Sequence, residues 1–559
     1  MEWKKILRKG YVAPSIDRTT TLPDAVAAIT HAVAAHLLES PHVRAYLVDL
    51  PKGEGTFCPS SPIEELVKEA ATQTGNVDKR DPLVTLGLIR QLIVPVVSFE
   101  RAQVLRILGA IDDITPSERM LFRLSLKLSE AHDRLWARWF REIIKPYQYL
   151  DASGKERYET ITQTLLARYD YTVFEYKPDV GCVNRRSWAA AFPKEIGVIA
   201  RLLFQLERCA PEPTIADYFA ELLNAYACVA VDQLETVWKN VDLAWIKIPQ
   251  ECRIIPVHGM ESGYEHPFCV SPEFRLEVRT QESRPLITEA RRGTICYAEM
   301  IGLRKSLIDV LVQKLERIDI SVFSNAIRSG SRLNFRAMGQ AVPNRQEVLA
   351  EGGKIFLDGG APVRTANAYR GHMQKHCAPE TTHALQSFIT PLGMLTHTIH
   401  HEYAHPVGRT QTSDAAIGAG IKLLEEGKAT LLGILAHEHQ HRGREERLEC
   451  IAITVARILR FMYTTELENS TIATYVRENL AAATTLFDAG VMTLSSSGIV
   501  IDLKKAASAV WFEKLKEFNV AVIAAYQASD VDALQRLTHL YCDMSSEPLR
   551  GLISWVNRN

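Results

Sequence analysis

A chain of 559 residues is long enough for two or more domains, or for one large two-lobed body with ample core. Its apolar fraction of 47% and charged fraction of 23% are those of a globular protein, and a formal net charge of −1 gives no electrostatic case for nucleic acid or an anionic membrane. The opening MEWKKILRKGYVAPS lacks an apolar h-region and no stretch reaches the roughly twenty apolar residues of a membrane span, so neither a secretory signal nor a membrane anchor is expected. Ten cysteines, scattered from Cys58 to Cys542 without C-x-x-C pairs, suit reduced thiols in a cytoplasmic protein.

Along the chain, apolar positions recur at three- and four-residue intervals. This periodicity predicts helices over residues 24–48, 83–108, 115–143, 190–207, 215–238 and 296–327, and again over 381–406, 415–440, 446–465, 471–490, 504–528 and 531–541. Strand candidates are few: Ile254–His258, Arg275–Thr280, Lys354–Leu357 and Gly498–Ile501. Glycine-rich turns such as Gly352-Gly353 and Gly359-Gly360-Ala361-Pro362 surround the central ones. The fold class expected is mainly α with a small β element (α+β).

The chemistry concentrates near residue 400. His401-Glu402-Tyr403-Ala404-His405 reads H-E-x-x-H, which on a helix sets two imidazoles one above the other, able to grip one Zn²⁺ while Glu402 faces the open coordination position. Glu426, about one helix further on, is the expected third ligand. The pattern occurs a second time, at His437-Glu438-His439-Gln440-His441, but within the polar run AHEHQHRGREER, which reads as a solvated helix end and loop. His372, His376 and Cys377 read as a polar loop rather than a metal cluster. Zinc lowers the pKa of a bound water from about 16 towards about 7. Glu402 is then placed to take the water's proton as general base and pass it to a leaving amine. One zinc per chain is expected.

Several islands of sequence resemble the dipeptidyl-peptidase III family of zinc peptidases. EEGKATLLGIL, beginning at Glu425, resembles the family's E-E-C-R-A-E segment. Val342-Pro343-Asn344 with Glu351-Gly352-x-Lys354-x-x-Leu357 resembles its P-N-x-D…E-G-x-K-x-x-x-L stretch, and Glu261-Ser262-Gly263-Tyr264-Glu265-His266-Pro267-Phe268 its E-S-Y-R-D-P-F run. The islands fall within residues 258–490 in the family's order; the first 250 residues show no resemblance. The resemblance implies two lobes with a wide cleft: residues 1–282 with 325–370 as one lobe carrying a small mixed or barrel-like sheet, and 283–324 with 371–559 as a helical zinc-binding lobe. It implies Tyr264 as an electrophile, Glu425 as a carboxylate orienting a ligand histidine, and Glu261, Asn344 and the position of Tyr475 as substrate contacts. It also implies that an extended peptide pairs alongside the strand at Ile355–Leu357.

The sequence departs from the family pattern where substrate is handled. The zinc motif has one residue fewer between its histidines, which keeps the normal helical step. Ala341 stands at a family asparagine, and Tyr475 at a histidine that supports the transition state. The expected activity is cleavage of peptide bonds near a peptide's amino terminus. The alternatives are a zinc hydrolase or lyase acting on a non-peptide amide, ester or lactone, and a binding protein that has lost catalysis. No nucleic-acid or membrane partner is expected.

Overall fold

The computed structural model describes residues 2–48, 82–148, 150–151, 153–154, 156–157, 171–177, 182–259, 271–280, 284–333, 339–343, 348, 351–467 and 473–558. The chain divides into two compact units, Met1–Gln281 with Ser321–Ala361, and Glu282–Ile320 with Pro362–Asn559. It is mainly helical with small sheets. No described helix is long and apolar enough to cross a membrane.

The first unit contains helices α1 (Leu22–Glu39), α2 (Pro82–Ile107), α3 (Pro116–Trp139), α4 (Pro193–Cys209), α5 (Pro213–Ala227) and α6 (Leu234–Ile246). The start of α3 follows from T-P-S-E: Thr115 accepts from the Glu118 backbone N–H, Glu118 reaches back to the Thr115 N–H, and Pro116 occupies the first helical position. A hairpin of β1 (Val173–Lys177) and β2 (Cys182–Arg186) precedes a five-stranded sheet. Its strands are β3 (Ile254–His258), β4 (Glu273–Arg279), β5 (Ile318–Gly330), β6 (Gly339–Val342) and β7 (Gly353–Asp358), in the order β3-β4-β5-β7-β6. Every residue of β4 is buried. Phe274, Leu276 and Val278 join the hydrophobic core on one face, while on the other the buried Arg275 guanidinium lies between Glu273 (3.2 Å) and Glu277 (3.7 Å).

Residues 318–330 depart from the expected helix. Gly302, at φ +79°, ends α7 (Arg284–Met300), α8 (Lys305–Arg317) follows, and the chain then becomes β5. Ile318-Asp319-Ile320-Ser321-Val322 alternates apolar and polar with β-branched residues, a strand pattern hidden at the end of a helical one. The sheet order also corrects the expected peptide-binding edge. Both sides of β7 are taken, by β5 and β6, and Ala341 of β6 pairs with Ile355 of β7. β7 is therefore an inner strand; among the described strands, the sheet's edges are β3 and β6.

The second unit continues with α9 (Ala361–His376), α10 (Pro391–Ala404), α11 (Glu425–His441), α12 (Arg444–Phe461), α13 (Ala473–Asp488), a hairpin of β8 (Met492–Ser495) and β9 (Gly498–Ile501), α14 (Val510–Ala528), α15 (Val531–Cys542) and α16 (Glu547–Arg558). α11 is buried almost all round and packs against α7, α10, α13 and α14. At Gly433 it meets α10 so closely that a Cβ would lie 2.9 Å from the His400 carbonyl carbon and 2.9 Å from the His401 nitrogen. The His372–Cys377 segment is no loop: it ends α9, with His376 buried at 2.7 Å from the Tyr463 hydroxyl and Cys377 bridged to Ile499.

Candidate metal centre

α10 begins where Thr390 accepts from the Gly393 N–H (2.9 Å) with Pro391 at the first helical position, and it runs on to place His401 and His405 one turn apart at its C-terminal end. α11 begins with Glu425 and Glu426, acidic residues that suit a helix N-terminus. The two helices bring His401, His405 and Glu426 together: one ligand atom from each lies within 4.8 Å of the others. The Nε2 atoms of His401 and His405 are 3.1 Å apart, and Glu426 Oε2 is 3.4 Å from His401 Nε2.

Proton accounting fixes how these groups face one another. His405 Nδ1 is 3.0 Å from Glu425 Oε1, a carboxylate oxygen that also accepts from Arg409 (2.8 Å) and lies 3.3 Å from Lys428 Nζ. A carboxylate only accepts, so His405 carries its proton on Nδ1. His401 Nδ1 is 2.8 Å from Thr430 Oγ1, and the Thr430 hydroxyl donates to Glu478, whose carboxylate is also paired with Arg457 at 2.7 Å. With its own proton committed, the Thr430 oxygen must accept from His401 Nδ1–H. When both rings are neutral and protonated on Nδ1, each Nε2 turns a lone pair towards the other, and the buried Glu426 Oε2 lies 3.4 Å from His401 Nε2. In that protonation state three donors converge with no proton between them, an arrangement that a bound cation would satisfy. Two imidazoles and a carboxylate are a zinc-type donor set.

The surrounding charges agree. Burial opposes ionisation of Glu426, but the adjacent His401 and His405 imidazoles hold its carboxyl down at about 2. Burial likewise opposes ionisation of Glu425, yet Lys428, the His405 hydrogen bond and Arg409 hold it well below the usual carboxylate range. At His405, burial disfavours the charged ring, and the Glu425 hydrogen bond with the charges of Glu426, Glu425 and Glu402 outweighs it and raises the pKa. The site is thus rich in negative potential. Lys428, fully buried, donates to the carbonyls of Ala404 (3.1 Å), His405 (2.6 Å) and Val407 (3.2 Å), closing the end of α10 beside His405.

Glu402 is half-buried, within charge reach of His405 and Tyr475. Desolvation, followed by the charges of Glu426 and Glu478, pushes the Tyr475 phenol well above its ordinary value, so it stays protonated as a donor. Glu261, Tyr264 and Asn344 lie outside the described residues. Thr430, Lys428, Arg409, Arg457 and Glu478 complete the site and were not singled out from the sequence. Thr430 alone left a trace, four residues after Glu426 on the same helical face.

The second H-E-x-x-H is a solvated helix end only in its last residues. α11 extends to His441, and His437 is only 6% exposed, its ring centroid 5.6 Å from that of His397 and 5.1 Å from that of His400. The solvated part begins at the helix end, where His441, Arg442, Arg444 and Glu445 are exposed. Composition made the segment look polar throughout, whereas the helix turns its first histidine inward.

No family model and no curated protein matches this sequence. Among solved structures, the fold is similar to that of DPP III from Caldithrix abyssi, with a TM-score of 0.57 at 15% identity over 92% of this chain and 98% of that one. It is also similar to dipeptidyl-peptidase III from Corallococcus sp. strain EGB, with a TM-score of 0.52 at 14% identity over 72% of this chain and 76% of that one. The chain has a distant dipeptidyl-peptidase III-like fold.

Proposed function

We propose that this protein is a zinc-dependent hydrolase that cleaves peptide bonds near the amino terminus of peptides. The observation that carries the reading is the convergence of His401 Nε2, His405 Nε2 and Glu426 Oε2, with the outward Nδ1 of each histidine engaged by Thr430 or Glu425. These residues would hold the ion, and Glu425 and the Thr430–Glu478 pair would orient the rings. When bound, zinc acidifies water and polarises a carbonyl oxygen. Glu402, one residue beyond a ligand, takes the proton of the attacking water and delivers it to the leaving amine. Tyr475, kept protonated, offers its hydroxyl to the oxyanion that forms on the substrate. The fold likeness supports a peptidase over a hydrolase of non-peptide amides or esters.

Glu402→Gln tests the reading, since it removes the base and no ligand. Zinc content should stay at the wild-type level while peptide turnover falls by roughly a hundredfold or more. Glu426→Ala should lose the ion. An unimpaired Glu402→Gln protein would exclude this mechanism. Recognition of an amino terminus needs several polar partners for a buried ammonium; Ala341 stands where the family resemblance puts one such group, and Tyr475 where it puts the histidine that supports the transition state. Turnover of an Arg-Arg dipeptide amide is therefore expected to be weak and little changed by acetylating its amine. A strong preference for the free amine would show that other residues supply this recognition.

A further inference from the structure

Glu426, Thr430, Gly433 and His437 occupy positions i, i+4, i+7 and i+11 of α11, one stripe along the helix facing α10. The candidate catalytic centre lies at one end of this seam. At the other, about 16 Å along α11 by helical rise, stands a second group of side chains for which the proposed reaction has no use. Ligand atoms of His397 on α10, His437 on α11 and Cys450 on α12 all lie within 4.8 Å of one another. Glu449 of α12 brings a carboxylate oxygen beside this group, 3.8 Å from His397 Nε2 and 4.0 Å from His437 Nε2.

We propose that His397, His437, Cys450 and Glu449 form a second metal site, a structural one, for a thiolate-accepting divalent ion of the zinc class. Four observations carry this. Both ring nitrogens of His437 and Nε2 of His397 have no hydrogen-bond partner among the described residues, and the His437 side chain is only 8% exposed. Orphaned imidazole nitrogens in such a setting are costly unless something unseen joins them. The separations of 3.8 and 4.0 Å are too long for hydrogen bonds. They approach the spacing of ligands about one ion, because two atoms each about 2.0–2.1 Å from zinc are roughly 3.3 to 4 Å apart, depending on the angle between them. Finally, Gly393 leaves room for the Glu449 carboxylate: a Cβ there would lie 2.8–3.1 Å from its atoms.

The donor set also chooses the ion. A thiolate and two imidazoles favour zinc-like metals over calcium or magnesium. One thiolate and one carboxylate neutralise a divalent charge, so the loaded site is electrically neutral in a buried place. Four protein ligands leave no position for water, the mark of a structural rather than a catalytic centre. Bound there, the ion would tie α10, α11 and α12 together and hold the seam that carries His401 and Glu426. A fully loaded chain would hold two ions, one more than the sequence reading expects.

The test is cobalt substitution of the full chain after removal of metal by a chelator. The candidate catalytic centre has only nitrogen and oxygen ligands, so a near-ultraviolet thiolate-to-cobalt charge-transfer band reports the second site alone. The band should appear in the wild type and in Glu426→Gln, and should vanish in Cys450→Ser and His437→Gln, each of which should bind one cobalt fewer than the wild type. If the variants fail to fold, the wild-type spectrum still decides. Absence of the band from folded wild type at saturating cobalt chloride, or its survival in Cys450→Ser, overturns the proposal. Neither result bears on whether Glu426 holds the first ion.

Discussion

Lys428→Met removes the charge of a fully buried ammonium while keeping much of its length and volume. The backbone carbonyls of Ala404, His405 and Val407, at and beyond the end of α10, lose the ammonium, Ala404 keeping the Val407 N–H, and Glu425 loses one of its two cationic partners. A buried acceptor left unsatisfied costs about 1–3 kcal/mol. The last carbonyls of a helix can recover part of that from water, and Arg409 still holds Glu425, so a total of about 3–5 kcal/mol is expected. That is a large part of the stability of a typical domain. Urea unfolding of the chelator-treated protein measures it, and a loss under about 1 kcal/mol would refute the role given to Lys428. The double variant Lys428→Met/Glu425→Gln separates two causes. If the ion pair dominated, removing Glu425 as well would restore most of the loss. Three of the four close contacts of the ammonium are to carbonyls, so little restoration is expected.

Thr430→Val deletes the hydroxyl that receives the His401 proton, and zinc affinity measured by chelator competition should fall about 10- to 100-fold, with Thr430→Ser close to wild type. Gly433→Ala places a methyl 2.9 Å from the α10 backbone, so it should force the two helices apart, lowering both thermal stability and bound metal; a wild-type melting temperature would count against the close approach. In the first unit, burial pulls the His132 pKa down from its ordinary 6.5 to about 4. The unfolded chain takes up this proton below pH 6.5 and the folded chain only near pH 4, so stability should fall across that window by up to about 3 kcal/mol. Unfolding midpoints at pH 7 and pH 5 should differ less in His132→Phe than in wild type.

The grouping of His401, His405 and Glu426 was legible because the two histidines keep a helical step and Glu426 follows about twenty residues on, at the start of another helix. Ile254–His258 was likewise readable to the residue, as a β-branched run bounded by turns. What was hidden depends on tertiary placement. Lys428 finds its acceptors more than twenty residues back, and Thr430 finds Glu478 on another helix; no local pattern joins them. β5 was missed because helical periodicity in α8 runs into it without a glycine or proline to mark the change. The Ile355–Leu357 edge was misjudged because strand order, unlike strand identity, depends on which segments meet.

The misreading of His437 has a more general cause. Counting polar residues over AHEHQHRGREER treats a helix as though it had one environment, whereas α11 is buried almost all round and its polar residues fall at helical spacing. A buried helix gains nothing from a polar side chain unless that side chain is partnered. A polar stripe on an otherwise apolar helix is therefore evidence of partners, whether side chains, backbone or an ion. On α11 the stripe runs from Glu426 through Thr430 to His437, and every member whose partner is visible takes part in the candidate metal centre. His437 has no hydrogen-bond partner among the described residues, and the reasoning behind the ion proposed at Glu426 applies to it as well.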